Sequence, residues 1–373
     1  MWYTLSKSNI RGNKMAKYDF LKDIIKIIAP GTPLRMGIDN ILNAKSGALI
    51  VLMNEEDISR SKDLIQPGFY VNCEYTPQKV YELAKMDGAV IMDEDATRIL
   101  YANVQLTPDP SLPTKETGMR HRNAERTAKQ TGKASIAISR RRSIVSIYWG
   151  AYSYVLNDLN FLITKVDQGL KTIEKYSDSY GKALDSLDIL EMENRVTLFD
   201  ICKTLEKGFK AKKIGVEIEP YIWEMGLDGR MAKIQMDEML SEVEENLKMI
   251  ITDYYNLEDP IDSERAKDIY DKIFSFSEKD LLDYSKMIHF LGYNSDNLVT
   301  EINVIPRGFR LMDNIPKIPL SVSYNLVREF GNLKGISNAS AEKLMGVEGI
   351  GEKRSQAIIE GLESLKHKTT HLK

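Results

Sequence analysis

A chain of 373 residues with 43% hydrophobic and 28% charged side chains has the make-up of a folded protein, which excludes wholesale disorder, and at ~150 residues per domain it predicts two to three domains. Its longest apolar run, Ala48 to Met53, is far short of the ~20 residues that span a bilayer, and the polar, basic opening from Ser6 to Lys17 has no apolar leader core, so neither a membrane nor secretion is expected. The net charge of −3 hides a partition: residues 1–150 carry 22 basic and 16 acidic side chains, 151–300 carry 18 and 30, and 301–373 carry 11 and 8, so both ends suit anionic partners and the middle repels them.

Cys73 and Cys202 stand alone, without CxxC spacing, which fits small buried hydrophobes in a reducing cytosol and neither a disulfide framework nor a zinc site. In chain order, Tyr18 to Ile28 reads as a helix, Gly47 to Met53 as a buried strand, Pro77 to Met86 as a helix and Gly88 to Met92 as a second buried strand. Asp93-Glu94-Asp95 makes a polar turn before a third strand at Ile99 to Leu106. Ala124 to Gln130 is helical and ends at Gly132, a C-terminal cap. Lys133 to Ser139 and Ser143 to Trp149 form a hairpin with a basic tip, Arg140-Arg141-Arg142. Strands mixed with helices predict an α/β domain over 1–150 with a mixed central sheet flanked by helices.

From about 155 the period becomes helical. Leu162, Val166, Leu170, Ile173 and Tyr176 form one stripe, and Leu184, Leu187 and Leu190 a second. Leu198, Ile201, Leu205 and Phe209 form a third, Leu240, Val243, Leu247, Ile250 and Tyr254 a fourth. These are core faces of an all-α spine over 151–300, whose many acids are its solvated surface. Pro260, Gly292 and Asn294 place the next boundary near 300.

Residues 301–373 contain a local motif. Leu344 to Ile358 is helix, tight turn, helix, with Gly349 and Gly351 bracketing an Ile350 that can be buried while the glycines let the backbone approach a ligand. The following helix start turns free N–H groups outward, so a phosphate can dock there beside Lys353 and Arg354. This resembles a helix-hairpin-helix, a unit that grips the DNA backbone without reading its bases, and binding of that kind is salt-sensitive. The DNA-binding candidates are Gly349, Ile350, Gly351, Lys353 and Arg354. A degenerate copy at Ile315 to Pro319, with prolines in place of glycines and a helix from Ser323 to Phe330, is expected to contribute packing more than contacts.

Two clusters in the first domain carry the chemistry. Asp87-Gly88-Ala89 sits where a helix meets a buried strand; there an acid projects from the sheet edge and Gly88 and Ala89 leave room for a planar ligand, although Asp-Gly before a strand is commonly just a turn. Thr117-Gly118-Met119-Arg120-His121-Arg122 precedes a short helix from about Asn123, where an anion gains from dipole and backbone N–H groups together. Nine basic and two acidic residues lie between Lys115 and Arg142, and guanidinium forks at Arg120, Arg122 and Ser139-Arg140-Arg141-Arg142 suit a polyphosphate. With no GxxxxGK[ST] loop, this is not a P-loop enzyme.

Together, Asp87-Gly88-Ala89, Tyr101-Ala102-Asn103-Val104-Gln105-Leu106 with Pro108-Asp109-Pro110, Arg120-His121-Arg122 and Ser139-Arg140-Arg141-Arg142 resemble the diadenylate cyclase domain family. With the helical middle and terminal hairpin, essentially the whole chain resembles the DNA-scanning members of that family. Met119 and Asn123 stand where such members commonly carry threonine. The resemblance implies condensation of two ATP molecules into cyclic di-AMP and two pyrophosphates, with two cyclase domains face to face about a twofold axis. It implies Mg²⁺ or Mn²⁺ at Asp87, which would also orient or deprotonate the 3′-hydroxyl. Arg120, His121 and Arg122 would hold phosphates, with His121 steadying the leaving pyrophosphate. Gly88, Ala89 and Leu106 would line the adenine and ribose pocket, and Asn123, Ser139, Arg140 and Arg142 would add nucleotide contacts. It implies further a homo-octamer in the cytoplasm, associated with chromosomal DNA, whose cyclase output is lowered by branched or junction DNA. The rival readings are a non-catalytic DNA-binding scaffold and a DNA-repair nuclease or ligase with a helix-hairpin-helix accessory.

Overall fold

The computed structural model describes residues 22–371 apart from 67, 258–259 and 295–301. Residues 18–21 of the expected first helix and the expected boundary near 300 lie outside the described residues. The chain divides into two compact units, one made of residues up to Asp167 with Glu219–Lys233, the other of Gln168–Ile218 with Ile234 onward.

The first unit runs α1 (22–28), α2 (Pro33–Asn43), β1 (Ala48–Leu52), α3 (Glu55–Arg60), β2 (Ile65–Gln66), β3 (Phe69–Glu74), α4 (Pro77–Leu83), β4 (Ala89–Met92), β5 (Arg98–Leu106), α5 (Met119–Thr131), β6 (Ser135–Ile138), β7 (Val145–Trp149) and β8 (Tyr152–Val155). Thr32 and Thr76 cap α2 and α4, each with proline as the first helical residue, the fixed φ of proline being ready-made for that position. Gly132 closes α5 in the left-handed conformation, φ 70°, as the sequence predicts.

The strands form one mixed sheet in the order β2-β5-β4-β1-β6-β7-β8, with β3 also paired to β5. The β1–β4 pair is parallel, whereas β1–β6, β4–β5, β6–β7 and β7–β8 are antiparallel. Every residue of β1 and β4 is buried, which is why both read as continuous apolar runs. Ile28, Ile38 and Val80 cover one face against Ile50, Val90 and Ile136. Ala124 and Ala128 of α5 meet Val51, Ile91 and Ala137 on the other, and side chains this small let the helix lie close to the sheet.

Two differences from the sequence reading bear on function. Helix α5 begins at Met119, five residues before the expected start at Ala124, so Arg120, His121 and Arg122 lie within its first turn. The second is the space beside Gly88, expected to admit a planar ligand. A Cβ built there would stand 2.4 Å from the carbonyl carbon of Asn103, so that space is filled by β5, and Ala89 is itself buried in the sheet.

Helices α6 (Leu159–Glu193) and α7 (Leu198–Glu224) contribute to both units. The stripes expected at 162–176 and 184–190 fall on α6 alone, and the third fixes α7, where Leu198, Ile201, Leu205 and Phe209 are all buried. Helix α8 (Arg230–Leu240) begins in the first unit and ends in the second, which continues through α9 (Val243–Tyr254), α10 (Ser263–Phe274), α11 (Glu278–Leu282), α12 (Tyr284–Phe290), α13 (Phe309–Asp313), α14 (Leu320–Phe330), α15 (Leu333–Ser337), α16 (Ala341–Met345) and α17 (Glu352–His371). Its C-terminal part is an internal repeat. Met312, Ile315, Ile318, Ser323 and Leu326 recur 32 positions later as Leu344, Val347, Ile350, Ser355 and Ile358, and all are buried.

A charged junction ties α13 to α6 and α9. Asp253 accepts the backbone N–H groups of Gly308 and Phe309 at 2.7 Å and of Arg310 at 3.1 Å, serving as the N-terminal cap that Gly308 cannot supply. The buried Arg310 guanidinium reaches Asp188 at 2.6 Å and Glu191 at 2.7 Å, and Tyr254 donates to Glu191 at 2.6 Å. Arg307 donates to the carbonyls of Thr252, Asp253, Tyr255 and Leu257, capping the far end of α9.

Candidate functional site

In the first unit the residues of both sequence clusters converge. A cleft of about 1000 Å³ is lined by Asp87, the first turn of α5 with Thr117 and Gly118 before it, and the β6–β7 hairpin tip Ser139 to Arg142. Three chain segments meet because the sheet brings them together. A Cβ on Gly47, at the amino end of β1, would stand 3.0 Å from Arg120 Nη1 and 3.1 Å from the Ile138 carbonyl, so the glycine makes room for the Arg120 guanidinium to cross.

The loop before α5 is pinned to the helix it introduces. Arg126 donates to the Leu112 and Pro110 carbonyls at 2.9 Å, and Lys129 to the Pro113 carbonyl at 2.6 Å. Thr114 donates to Glu125 at 2.5 Å. Gly118, the N-cap, has no side chain to satisfy the first N–H groups of α5, and an uncapped helix start of this length binds anions through those donors and the helix dipole.

Arg120 approaches Asp87 only loosely, at 3.5 Å, and the Asp87 carboxylate is fully exposed. An ion pair of this kind is held by little energy, so both groups are available to a ligand. His121 is 5% exposed, its Nε2 has no hydrogen-bond partner, and its ring stands edge-on to Tyr148 at 6.4 Å. Burial holds the imidazole below its ordinary pKa; Glu116 opposes the shift, and Arg142 and Arg120 add to it. His121 is therefore neutral at pH 7 and meets a phosphate as a hydrogen-bonding group.

Glu116 is a site residue the sequence reading did not single out. It accepts from Tyr148 at 2.8 Å and lies 3.7 Å from Arg142, holding that guanidinium beside the cleft. The hairpin tip has its own local fold: Ser139 Oγ accepts from Arg142 N–H at 3.2 Å, and Ser143 takes φ 50°. Arg141, Thr117, Gly118 and Met119 also line the cleft; their adjacency to the basic clusters was the available signal.

Asp87, Arg120, His121, Ser139, Arg140 and Arg142 are thus brought together, and Gly88, Ala89, Leu106, Arg122 and Asn123 are not among the lining residues. Ala89 and Leu106 pack in the core shared by the sheet and α5, Arg122 donates to the Thr117 carbonyl at 3.3 Å, and Asn123 Nδ2 turns to the Leu106 carbonyl at 3.5 Å. Among the described residues, Asp87 is the only acid lining the cleft, and no cluster of three or more His, Cys, Asp or Glu could hold a metal unaided. One exposed carboxylate does fit a hard divalent cation that arrives with phosphates, since such ions take one or two carboxylates and complete their shell with phosphate oxygens and water.

In the second unit, the hairpin between α16 and α17 has the expected turn. Gly349 takes φ 87°, Ile350 is buried, and a Cβ at Gly351 would meet nothing within 4 Å. Lys353 is exposed. Arg354, expected to face phosphate, instead donates through Nη1 to the Gly349 carbonyl at 2.6 Å and so braces the turn. In the earlier copy Lys317 occupies the left-handed position, φ 69°, and Pro319 stands where Gly351 would, removing a donor.

Residues 35–152 match the DisA bacterial checkpoint controller nucleotide-binding family, 156–299 the DisA bacterial checkpoint controller linker region, and 309–364 the SAM-like helix-hairpin-helix tandem. The DNA integrity scanning protein DisA of Thermotoga petrophila is 48% identical over 348 residues, covering 93% of this chain and 97% of that protein. Its counterpart in Thermotoga maritima is 48% identical, with coverage of 93% and 96%. That of Carboxydothermus hydrogenoformans is 45% identical over 347 residues, with coverage of 93% and 97%.

Proposed function

The chain belongs to the DisA family, and we propose that its N-terminal cleft joins two ATP molecules into cyclic di-AMP while its C-terminal tandem holds DNA. It is a diadenylate cyclase and a DNA-binding protein. The observation that carries the reading of the cleft is the convergence of Asp87, the uncapped start of α5 and the arginine-rich hairpin tip on one space of about 1000 Å³. That volume holds a nucleoside triphosphate, and the charged residues of its lining are four arginines and one carboxylate.

Two ATP molecules become cyclic di-AMP and two pyrophosphates, each ribose 3′-oxygen displacing pyrophosphate from the α-phosphorus of the other nucleotide. One cleft per chain supplies half of this, so two cyclase domains meet face to face. Positioning and preorganised charge supply most of the acceleration for such a displacement. The chemistry depends on a divalent metal; Mg²⁺ or Mn²⁺ is our choice, and when bound it would screen phosphate charge and lower the pKa of the attacking hydroxyl.

Asp87 would hold that cation and orient the 3′-hydroxyl. Arg120 and Arg122, with the amides of the first turn of α5, would bind phosphates, and Ser139, Arg140 and Arg142 would close on them from the hairpin. Neutral His121 would hydrogen-bond the departing pyrophosphate. Gly88, Ala89, Leu106 and Asn123 would contribute backbone and edge contacts to adenine and ribose. On the DNA side, Gly349, Ile350, Gly351 and Lys353 would present the turn to a phosphate, with Arg354 holding its shape. We take 1–150, 151–300 and 301–373 as the cyclase, spine and DNA modules of a cytoplasmic, chromosome-associated octamer whose output falls on branched DNA.

Incubation with ATP and Mg²⁺ or Mn²⁺, followed by chromatography, should yield cyclic di-AMP and pyrophosphate in a 1:2 ratio. Specific activity should fall on dilution below the dimerisation constant. Activity per chain that is independent of concentration in a demonstrated monomer would overturn the shared-site mechanism, and absence of the cyclic product would overturn the reaction.

A further inference from the structure

Asn103 stands behind Asp87 in an unusual backbone conformation, and nothing in the cleft itself uses it. Its φ is +54°, the left-handed region that L-residues other than glycine rarely adopt. It lies in a bulge of β5: Val104 pairs with Ala89 and Tyr101 with Ile91, so Ala102 and Asn103 together oppose Val90 alone. Bulges with a left-handed residue bend a strand and re-aim its neighbours, and they recur beside active sites.

The bulge is clasped from both sides. A Cβ on Gly88 would fall 2.4 Å from the Asn103 carbonyl carbon, and one on Gly68 would fall 2.3 Å from its carbonyl oxygen. Two glycines are thus needed for this one residue to sit where it does. Its side chain then reaches across to the corner, where Asn103 Oδ1 accepts the Gly88 N–H at 3.2 Å. That N–H belongs to the peptide linking Asp87 to Gly88, so the bond fixes the orientation of the peptide that follows the exposed carboxylate.

Glycine would occupy a left-handed bulge at least steric cost, but it has no acceptor. Aspartate has one, yet would place a second negative charge beside Asp87. Asparagine is the side chain that tolerates the conformation, supplies the acceptor and stays neutral. We propose that Asn103 is a positioning residue that holds Asp87, through Gly88, in the orientation in which it receives the divalent cation. The proposal rests on the cyclase reading for the cation's role.

The test compares Asn103→Gly, which keeps the backbone freedom and deletes the amide, with wild type, Asp87→Asn and the double variant. Mn²⁺ binding is followed by electron paramagnetic resonance in the presence of 3′-deoxy-ATP, which cannot react. Loss of a group that orients a metal ligand weakens metal binding or activity by about 10–100-fold. Asn103→Gly should therefore raise the half-saturating Mn²⁺ concentration by about tenfold or more and leave the melting temperature close to wild type. In the Asp87→Asn background it should add nothing, because it acts through that carboxylate. The proposal is overturned if Asn103→Gly binds Mn²⁺ as wild type does, or if its effect persists undiminished beside Asp87→Asn. A wild type that makes no cyclic di-AMP while the Mn²⁺ pattern holds would remove the reaction and leave the positioning role standing.

Discussion

The molecule carries two concentrations of charge, and they are built in opposite ways. Around the cleft, Arg120, Arg140, Arg141 and Arg142 face a space containing one loosely engaged carboxylate, and the first N–H groups of α5 have no capping side chain. At the junction of α6, α9 and α13, Arg310 is buried between Asp188 and Glu191, and Asp253 accepts three backbone donors. Charge left unanswered at a surface keeps its capacity for a ligand. Charge answered in the interior has spent that capacity on holding helices in register. Counting arginines does not separate the two regions; counting their partners does.

The contrast breaks first at Arg310. Arg310→Met should destabilise the second unit by about 3–5 kcal/mol, the usual consequence of stranding buried partners of an ion pair, and leave the cleft's nucleotide affinity unchanged; calorimetry and ATP titration read the two separately. Asp87→Asn should do the reverse, lowering turnover by about 10²–10³-fold with the melting profile intact. An Asp87→Asn protein that folds and turns over normally would remove the metal assignment.

A smaller effect is expected from pH. Burial pushes Glu191 up to about 7, against the pull of Arg310 and with Asp253 and Asp188 adding to the rise; one guanidinium cannot neutralise so many carboxylates. A carboxyl group whose folded pKa lies above its unfolded value stabilises the fold below the ordinary carboxylate range, and that contribution is lost as pH rises through about 7. Between pH 5 and 8 the wild-type second unit should therefore lose about 2–4 °C of melting temperature per kcal/mol of this contribution, and Glu191→Gln should flatten the decline. The smallest change sharpens the DNA side. Gly351→Ala has room for its methyl group, so it should leave stability unchanged and weaken DNA binding a few-fold. Gly349→Ala, at φ 87° and 3.1 Å from Val322, should unfold the turn as well.

Much of this was legible in the residues. The buried strands β1 and β4 announce themselves as apolar runs, and the basic hairpin tip and the Gly-Ile-Gly turn lie where the sequence puts them. The start of α5 was misread because its N-cap is Gly118, which carries none of the usual capping side chains, and because Met119-Arg120-His121-Arg122 has no apolar period. Edge strand β3 was missed since its residues are mostly exposed or half-buried and so lack a run to read. The Arg310 junction could not be read at all: Glu191 and Arg310 are 119 positions apart, and only the fold pairs them. Asn103 was visible as a letter in a motif, but its role depends on a left-handed φ and two flanking glycines that no local pattern reveals.

The duplicated hairpin has one more implication. One copy keeps a glycine turn open to solvent, whereas its twin is closed by Pro319 and braced on a left-handed Lys317. Of the two copies, the second is therefore the one proposed to offer an open glycine turn to a phosphodiester. A lone foothold would release easily, and in the proposed octamer firm tenure would come from several chains engaging the nucleic acid at once, with linked contacts multiplying rather than adding. Such a molecule would move freely over plain duplex and pause where the geometry of the strands lets more than one of its feet land together.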